Sequence, residues 1–149
     1  DMKKAVARAF PRCDVLIMAA AVADYTPAKR SGEKIRRGKG PVSLGLEPTD
    51  DILAGLAGRK KDGQVVVGFA LESGDGEASA RRKARSKRCD YLVLNMIGEG
   101  TGFGADTNSV TIFKGTRKIA ETGLVTKLEA ASAILDILAG DSRVKKAAG

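Results

Sequence analysis

The chain has 149 residues, of which 43% are hydrophobic and 30% charged, the balance of a folded domain with its own core and not of a disordered segment. It contains no histidine, which excludes Ser-His-Asp and Cys-His catalysis and histidine-ligated zinc, and no apolar run approaches the ~18 residues of a membrane-spanning helix. The net charge of +8 points to nucleic acid, a phosphorylated small molecule or simple solubility, while aromatics at 4% with no Trp leave few stacking platforms for single strands.

Residues 2 to 10 carry apolar side chains at Met2, Ala5, Val6, Ala9 and Phe10, a helical spacing that Pro11 ends. A doubly wound domain normally opens with a strand and a glycine-rich turn. None precedes Met2, so the expectation is a truncated chain. Val15 to Met18 form an apolar run that predicts a central strand buried on both faces. Small residues follow, at Ala19 to Ala21 and Ala23, and then Asp24. Pro27 cannot continue a central strand. Ligands of open α/β sheets bind outside the carboxyl ends of the strands, which makes Asp24 either a crevice residue or an ordinary surface carboxylate.

Residues 28 to 41 are glycine-rich and basic, with Ile35 as the single large apolar side chain among them. They predict a loop in which Lys29, Arg30, Lys34, Arg36, Arg37 and Lys39 either close over an anion or are merely solvated. A short strand is expected at Val42 to Leu46. A helix capped by Thr49 or Asp50 then runs through Ile52, Leu53, Leu56 and Ala57 to about Arg59. After the Asp62-Gly63 turn, Gln64 to Leu71 predict a second buried strand, with Gly68 and Phe69 where a ligand could approach. Residues 77 to 88 predict a helix that stacks Lys83 and Lys87 on one face, where two ammonium groups repel unless an anion lies between them. Cys89 to Asn95 read as a third buried strand. Residues 108 to 113 and 117 to 121 read as a hairpin, Val125 to Leu138 as a closing helix, and 141 to 149 as a frayed tail. Cys13 and Cys89 each precede an apolar strand and are expected to be buried and inert.

Alternating strands and helices define an α/β fold: a Rossmann-like parallel sheet flanked by helices, with a C-terminal β-hairpin and a closing helix, over residues 1 to 140. Parallel strands share one carboxyl edge, which would gather Ala20 to Asp24, Gly68 to Ala70 and Asn95.

An ordered set of motifs runs along this framework: A-A-A-V-A-D-Y-T-P at 19 to 27, E-K-I at 33 to 35, D-I-L at 51 to 53, V-G-F-A-L-E-S at 67 to 73, the pair Lys83 and Lys87, C-D-Y-L-V-L-N at 89 to 95, and G-F-G-A-D-T-N at 102 to 108. In this order and spacing the chain resembles the phosphopantothenoylcysteine synthetase domain of the bacterial bifunctional coenzyme A biosynthesis flavoprotein. The resemblance implies a cytoplasmic, Mg²⁺-dependent homodimeric ligase with no nucleic-acid or membrane partner. Such an enzyme joins 4′-phosphopantothenate to cysteine with CTP, through an acyl cytidylate. FMN belongs to a decarboxylase domain that these residues do not include. The resemblance also makes Ala20, Ala21, Asp24 and Phe69 nucleotide-pocket residues, and Lys34 a catalytic flap lysine that reaches the phosphates. Lys83 and Lys87 join them at the nucleotide. Asp50, Asp51, Ile52 and Leu53 stand where the family has P-D-I-L, with Asp50 replacing the proline. The family's G-G-T-R-E and N-R-S-S-G-K-M-G motifs do not occur.

A carboxylate attacking an α-phosphate is already ionised at neutral pH. It needs charge neutralisation and in-line positioning more than a general base, which suits a chain without histidine. Two other classes stay open: a non-catalytic nucleotide-binding or dimerisation half-domain, and a basic nucleic-acid-binding module. A redox Rossmann domain is disfavoured because G-x-G-x-x-G is missing.

Overall fold

The computed structural model describes residues 1–38, 40–98, 101 and 104–147. Lys39 of the basic loop and Gly102 and Phe103 of the G-F-G-A-D-T-N motif lie outside these. Two compact units divide the chain, one made of residues 1–20 with those from 52 onward, the other of residues 21–51.

The larger unit opens with α1 (Met2–Ala9) and a 3-10 turn at Phe10–Arg12, followed by β1 (Val15–Met18). The smaller unit contains β2 (Tyr25–Pro27) and β3 (Leu46–Pro48). The chain then returns with α2 (Ile52–Ala57), β4 (Val65–Glu72), α3 (Gly76–Ser86), β5 (Tyr91–Met96), β6 (Thr107–Lys114), β7 (Arg117–Thr126), α4 (Lys127–Ala139) and α5 (Ser142–Ala147).

In the larger unit a five-stranded sheet runs in the order β1-β4-β5-β6-β7, parallel from β1 to β5 and antiparallel from β5 to β7. Successive side chains of a strand point to opposite faces, and both faces here are covered. Val66, Ala70, Leu92 and Leu94 pack with Phe10, Met18, Leu53, Ala80 and Ala84 on the side of α2 and α3. Val65, Val67, Tyr91 and Val93 pack with Ala130, Ile134 and Leu138 of α4. That double burial is why β4 and β5 are continuous apolar runs, and each fully buried valine or leucine contributes about 1.5–3 kcal/mol. The fold is the expected Rossmann-like α/β arrangement with a closing hairpin and helix.

Several local expectations need correction. β1 is an edge strand, not a central one buried on both faces: Ile17 is 39% exposed, because among the described strands β1 pairs only with β4. Gly68 serves packing and not ligand approach, since a Cβ there would lie 2.9 Å from Cys89 Sγ and from Leu53 Cδ2. The α4 helix starts at Lys127 with a capping box, Thr126 accepting from the Glu129 amide and Glu129 from the Thr126 amide. Cys89 is buried and Cys13 half-buried, both free thiols. Burial pushes the Cys13 thiol up, as expected of inert cysteines.

Residues 141 to 147 do not form a frayed tail. Asp141 is 5% exposed and accepts from the Arg143 amide at 3.0 Å, starting α5. Its carboxylate also takes Tyr91 Oη at 2.7 Å, Arg143 Nε and Nη2 at 3.0 Å each, and Lys114 Nζ at 3.2 Å. Arg143 Nη1 reaches Asp90 Oδ1 at 2.7 Å. Asp90 in turn accepts the Val66 amide at 2.8 Å and Lys60 Nζ at 2.6 Å. The Arg143 guanidinium, aided by Tyr91 and Lys114, holds the Asp141 carboxyl far below the usual carboxylate range. At Asp90, burial is outweighed by the Arg143 and Lys60 bonds, so its carboxyl also lies low.

In the smaller unit β2 and β3 form a two-stranded antiparallel ribbon, Tyr25 opposite Pro48 and Pro27 opposite Leu46. The strand expected at Val42 to Leu46 begins only at Leu46. Val42 and Leu44 are exposed, since β2 offers only three residues to pair with. Thr49 caps no helix. Its hydroxyl donates to the Ala23 carbonyl at 2.6 Å and its amide to the Asp24 carbonyl at 2.8 Å, closing the ribbon.

Candidate functional site at the carboxyl edge

The parallel register sets β1, β4 and β5 side by side, Met18 opposite Gly68 and Leu71 opposite Asn95. Their carboxyl ends therefore share one edge of the larger unit. Of the expected site residues, Ala20, Ile52, Leu53, Phe69, Lys83 and Lys87 belong to this unit, and Ala21, Asp24, Lys34, Asp50 and Asp51 to the smaller one.

Ala20 is exposed just beyond β1. Phe69 is half-buried on the α4 face of β4, the opposite face from Gly68 by strand alternation. Ile52 and Leu53 are 9% and 6% exposed and belong to the core. Their side chains are committed to packing, which leaves only backbone for a ligand. Asp50 and Asp51 are exposed.

The lysines are where sequence and structure differ most. Lys83 Nζ lies 2.7 Å from Glu72 Oε1, and the Ser79 hydroxyl donates to the same oxygen at 2.9 Å. The anion that the lysine face seemed to require is thus supplied for Lys83 by the last residue of β4. Burial pushes the Glu72 carboxyl up, but the Lys83 and Ser79 bonds outweigh it and keep it ionised at neutral pH. Lys87 follows α3, and its amide bonds the Lys83 carbonyl at 2.9 Å. Asp75 caps the helix start by accepting the Ala78 amide.

Two side chains at this edge escaped sequence reasoning in whole or part. Asn95, expected only as a strand terminus, and Asn108 on β6 each have a buried Oδ1 with no hydrogen-bond partner. Val110 pairs with Asn95, so Asn108, two residues away, shares its face. Buried orphan acceptors are uncommon; no periodicity would have disclosed them.

In the smaller unit Asp24 and Lys34 are exposed. The loop around Lys34 is held locally, the Ser31 hydroxyl donating to the Glu33 carbonyl at 2.6 Å. A cavity of about 330 Å³ lies among Ala28, Lys29, Ser43, Leu44 and Gly45. A separate groove of about 380 Å³ follows Ala78, Arg82 and Arg85 on the outer face of α3. Neither is lined by Lys83 or Glu72. Among the described residues no group of three or more His, Cys, Asp and Glu side chains could hold a metal ion, and no helix is long and apolar enough to cross a membrane.

A mixed sheet covered on both faces, with cationic and polar groups at the carboxyl ends of its parallel strands, defines an α/β domain of the Rossmann-like kind. Its family is specific. The model of the DNA/pantothenate metabolism flavoprotein C-terminal domain matches residues 1–141, and the chain belongs to that family. It is 41% identical over 144 residues to the coenzyme A biosynthesis bifunctional protein CoaBC of Bacillus subtilis (strain 168), covering 96% of this chain and 35% of that protein. It is 40% identical over 156 residues to CoaBC of Mycobacterium tuberculosis (strain ATCC 25618 / H37Rv), covering 95% and 37%. A cysteine/cysteine sulfinic acid decarboxylase of an unknown prokaryotic organism is 45% identical over 136 residues, 91% of this chain and 38% of that protein. The chain thus spans little more than a third of these relatives. The crystal structure of the C-terminal domain of CoaBC superposes with a TM-score of 0.72 at 34% identity, over 93% of this chain and 59% of that one. The Streptococcus pneumoniae DNA/pantothenate metabolism flavoprotein gives 0.71 at 20% identity, over 93% and 68%, and shares the fold.

Proposed function

We propose that this chain is part of the synthetase domain of a coenzyme A biosynthetic ligase that joins 4′-phosphopantothenate to cysteine at the expense of CTP. The observation that carries the reading is family membership across residues 1–141, strengthened by a lysine at the carboxyl edge of the sheet, where an α/β domain meets its ligands. In the first half-reaction the 4′-phosphopantothenate carboxylate attacks the α-phosphorus of CTP, the α–β phosphoanhydride bond breaks, and pyrophosphate leaves. In the second, the cysteine amine attacks the acyl carbon and CMP departs. Neither half requires histidine. In this reading Lys34, Lys83 and Lys87 are the residues that would neutralise the phosphates, and Ala20, Ala21, Asp24 and Phe69 are nucleotide-pocket residues. Mg²⁺ would supply further charge neutralisation in this reading; no group of three or more metal-ligating side chains stands among the described residues, and no step here is routed through the ion. The same reading makes the enzyme a cytoplasmic homodimer.

The test is pyrophosphate release by the full-length protein. It should require CTP and 4′-phosphopantothenate together. No release with any nucleoside triphosphate would refute the reading, and a clear ATP preference would replace CTP in it.

A further inference from the structure

Two side-chain carbonyl oxygens at the carboxyl edge lack a donor. Asn95 Oδ1 and Asn108 Oδ1 are buried, and among the described residues neither has a hydrogen-bond partner. A buried acceptor is costly to leave unpaired. The two lie on one face. Asn95 pairs with Val110, and Asn108 is two residues from Val110 along β6. By strand alternation all three therefore share the α4 side of the sheet. Diagonal neighbours of this kind stand roughly 7–8 Å apart at the backbone, a gap that one small group between two amide side chains spans. On its other side Asn95 lies opposite Leu71, two residues beyond Phe69. The same face thus carries half-buried Phe69 and Leu71, 37% exposed, beside buried Val93 and Val110.

We propose that Asn95 and Asn108 form an acceptor pair for a primary amine brought by a substrate. The inference rests on the ligase reading above, whose ligand groups are sorted by their chemistry. Phosphates and carboxylates are themselves acceptors and would meet two carbonyl oxygens with repulsion. A hydroxyl or a secondary amide carries one hydrogen, enough for one oxygen only. An uncharged primary amine carries two N–H donors, one for each oxygen, and brings no charge into a largely apolar setting. The reaction supplies two such amines, the α-amine of cysteine and the exocyclic amine of the cytosine ring. For CTP the pair would hold the edge of the base. For cysteine it would also serve the chemistry, because both N–H bonds are engaged while the nitrogen lone pair stays free to attack the acyl carbon. Cysteine then leaves its ammonium proton in solvent as it enters. Once the N–C bond has formed and the acyl–oxygen bond to CMP has broken, one of the two remaining protons follows into solvent.

The test uses full-length protein carrying Asn95→Ala, Asn108→Ala or both, in two arms that tell the amines apart. In the first, the KM for cysteine is compared with inhibition by 3-mercaptopropionate, which has the thiol and carboxylate of cysteine but no amine. A cysteine site predicts that each substitution raises the cysteine KM roughly three- to tenfold, the scale of one hydrogen bond, and leaves the 3-mercaptopropionate constant in place. In the second, calorimetry compares CTP with UTP, which has an oxygen where cytosine carries the amine. A base site predicts that CTP weakens by the same factor while UTP does not.

Either pattern supports the acceptor pair and names its amine. If cysteine shifts together with 3-mercaptopropionate, or CTP together with UTP, the donor is not an amine and the inference is overturned. It is overturned equally if variants that melt like wild type change none of the four constants. Where an alanine variant does not fold, Asn95→Ser or Asn108→Ser keeps an oxygen at shorter reach and should give the same pattern, reduced. The ligase reading is checked separately on the wild-type protein. Without pyrophosphate release from CTP and 4′-phosphopantothenate that reading fails and takes this inference with it. With that release and four unchanged constants in the variants, only the acceptor pair is lost.

Discussion

Replacing Asp141 with Asn tests how the C-terminal helix is held. The substitution keeps the shape of the side chain but removes the charge on which Arg143 Nε, Arg143 Nη2, Tyr91 Oη and Lys114 Nζ converge within 3.2 Å. Removing one member of a buried ion pair costs about 3–5 kcal/mol. Here the abandoned cations are partly wet, with the Lys114 side chain 48% exposed and that of Arg143 32%, and Arg143 keeps Asp90. An expected loss of about 2–4 kcal/mol follows. For a domain of this size that is a fall of roughly 6–14 °C in Tm, measured by circular dichroism at pH 7. The pH dependence gives a second check. The Asp141 carboxyl is lowered in the folded state, so its contribution is complete above the unfolded value of ~3.9 and is lost as pH falls below it. The wild-type advantage over Asp141→Asn should stay flat from pH 7 to 5 and shrink below about pH 4. A loss under about 0.5 kcal/mol, the level of an ordinary surface change, or an advantage that persists undiminished at low pH would refute this account of the network.

Lys34→Gln in the full-length enzyme should reduce acyl-cytidylate formation by ~2–4 kcal/mol of barrier, if Lys34 acts as a charge-stabilising donor, while the melting midpoint barely moves; normal turnover would exclude a flap role. Asp24→Asn should weaken CTP in calorimetry without altering the circular dichroism spectrum, and unchanged affinity with unchanged turnover would make Asp24 an ordinary surface carboxylate. Gly68→Ala should destabilise by about 1–3 kcal/mol through overpacking, since Cys89 Sγ and Leu53 Cδ2 lie 2.9 Å from the added carbon; a neutral denaturant midpoint would show that α2 yields easily.

The architecture was legible where local pattern and burial coincide. Val65 to Val67 and Leu92 to Leu94 are fully buried, and their unbroken apolar runs announce strands covered on both faces. The run at Val15 to Met18 looks the same in sequence but lies at an edge, because an apolar run records composition and not the number of neighbours. The β2–β3 ribbon was misjudged for a related reason: Tyr25 and Pro48 pair across an intervening loop that carries no periodicity. The C-terminal anchor was illegible because Tyr91 and Asp141 are 50 residues apart, and Asp90 and Arg143 are 53 apart. The same holds at the candidate site. Lys83 stood out by its spacing from Lys87, whereas Glu72 looked like the end of a strand motif until the fold set it beside the lysine.

The two ends of β4 are specialised differently. Around Val66 the strand is tied by Asp90, Lys60 and Arg143, while at Glu72 it carries the ion pair with Lys83. Six residues of strand at ~3.3 Å each put about 20 Å between these ends, beyond the distance at which substitutions usually interact. An engineer could therefore reinforce the amino pole, for instance around Lys60 or Arg143, and expect the gains to add to changes made at the carboxyl pole without retuning ligand choice there.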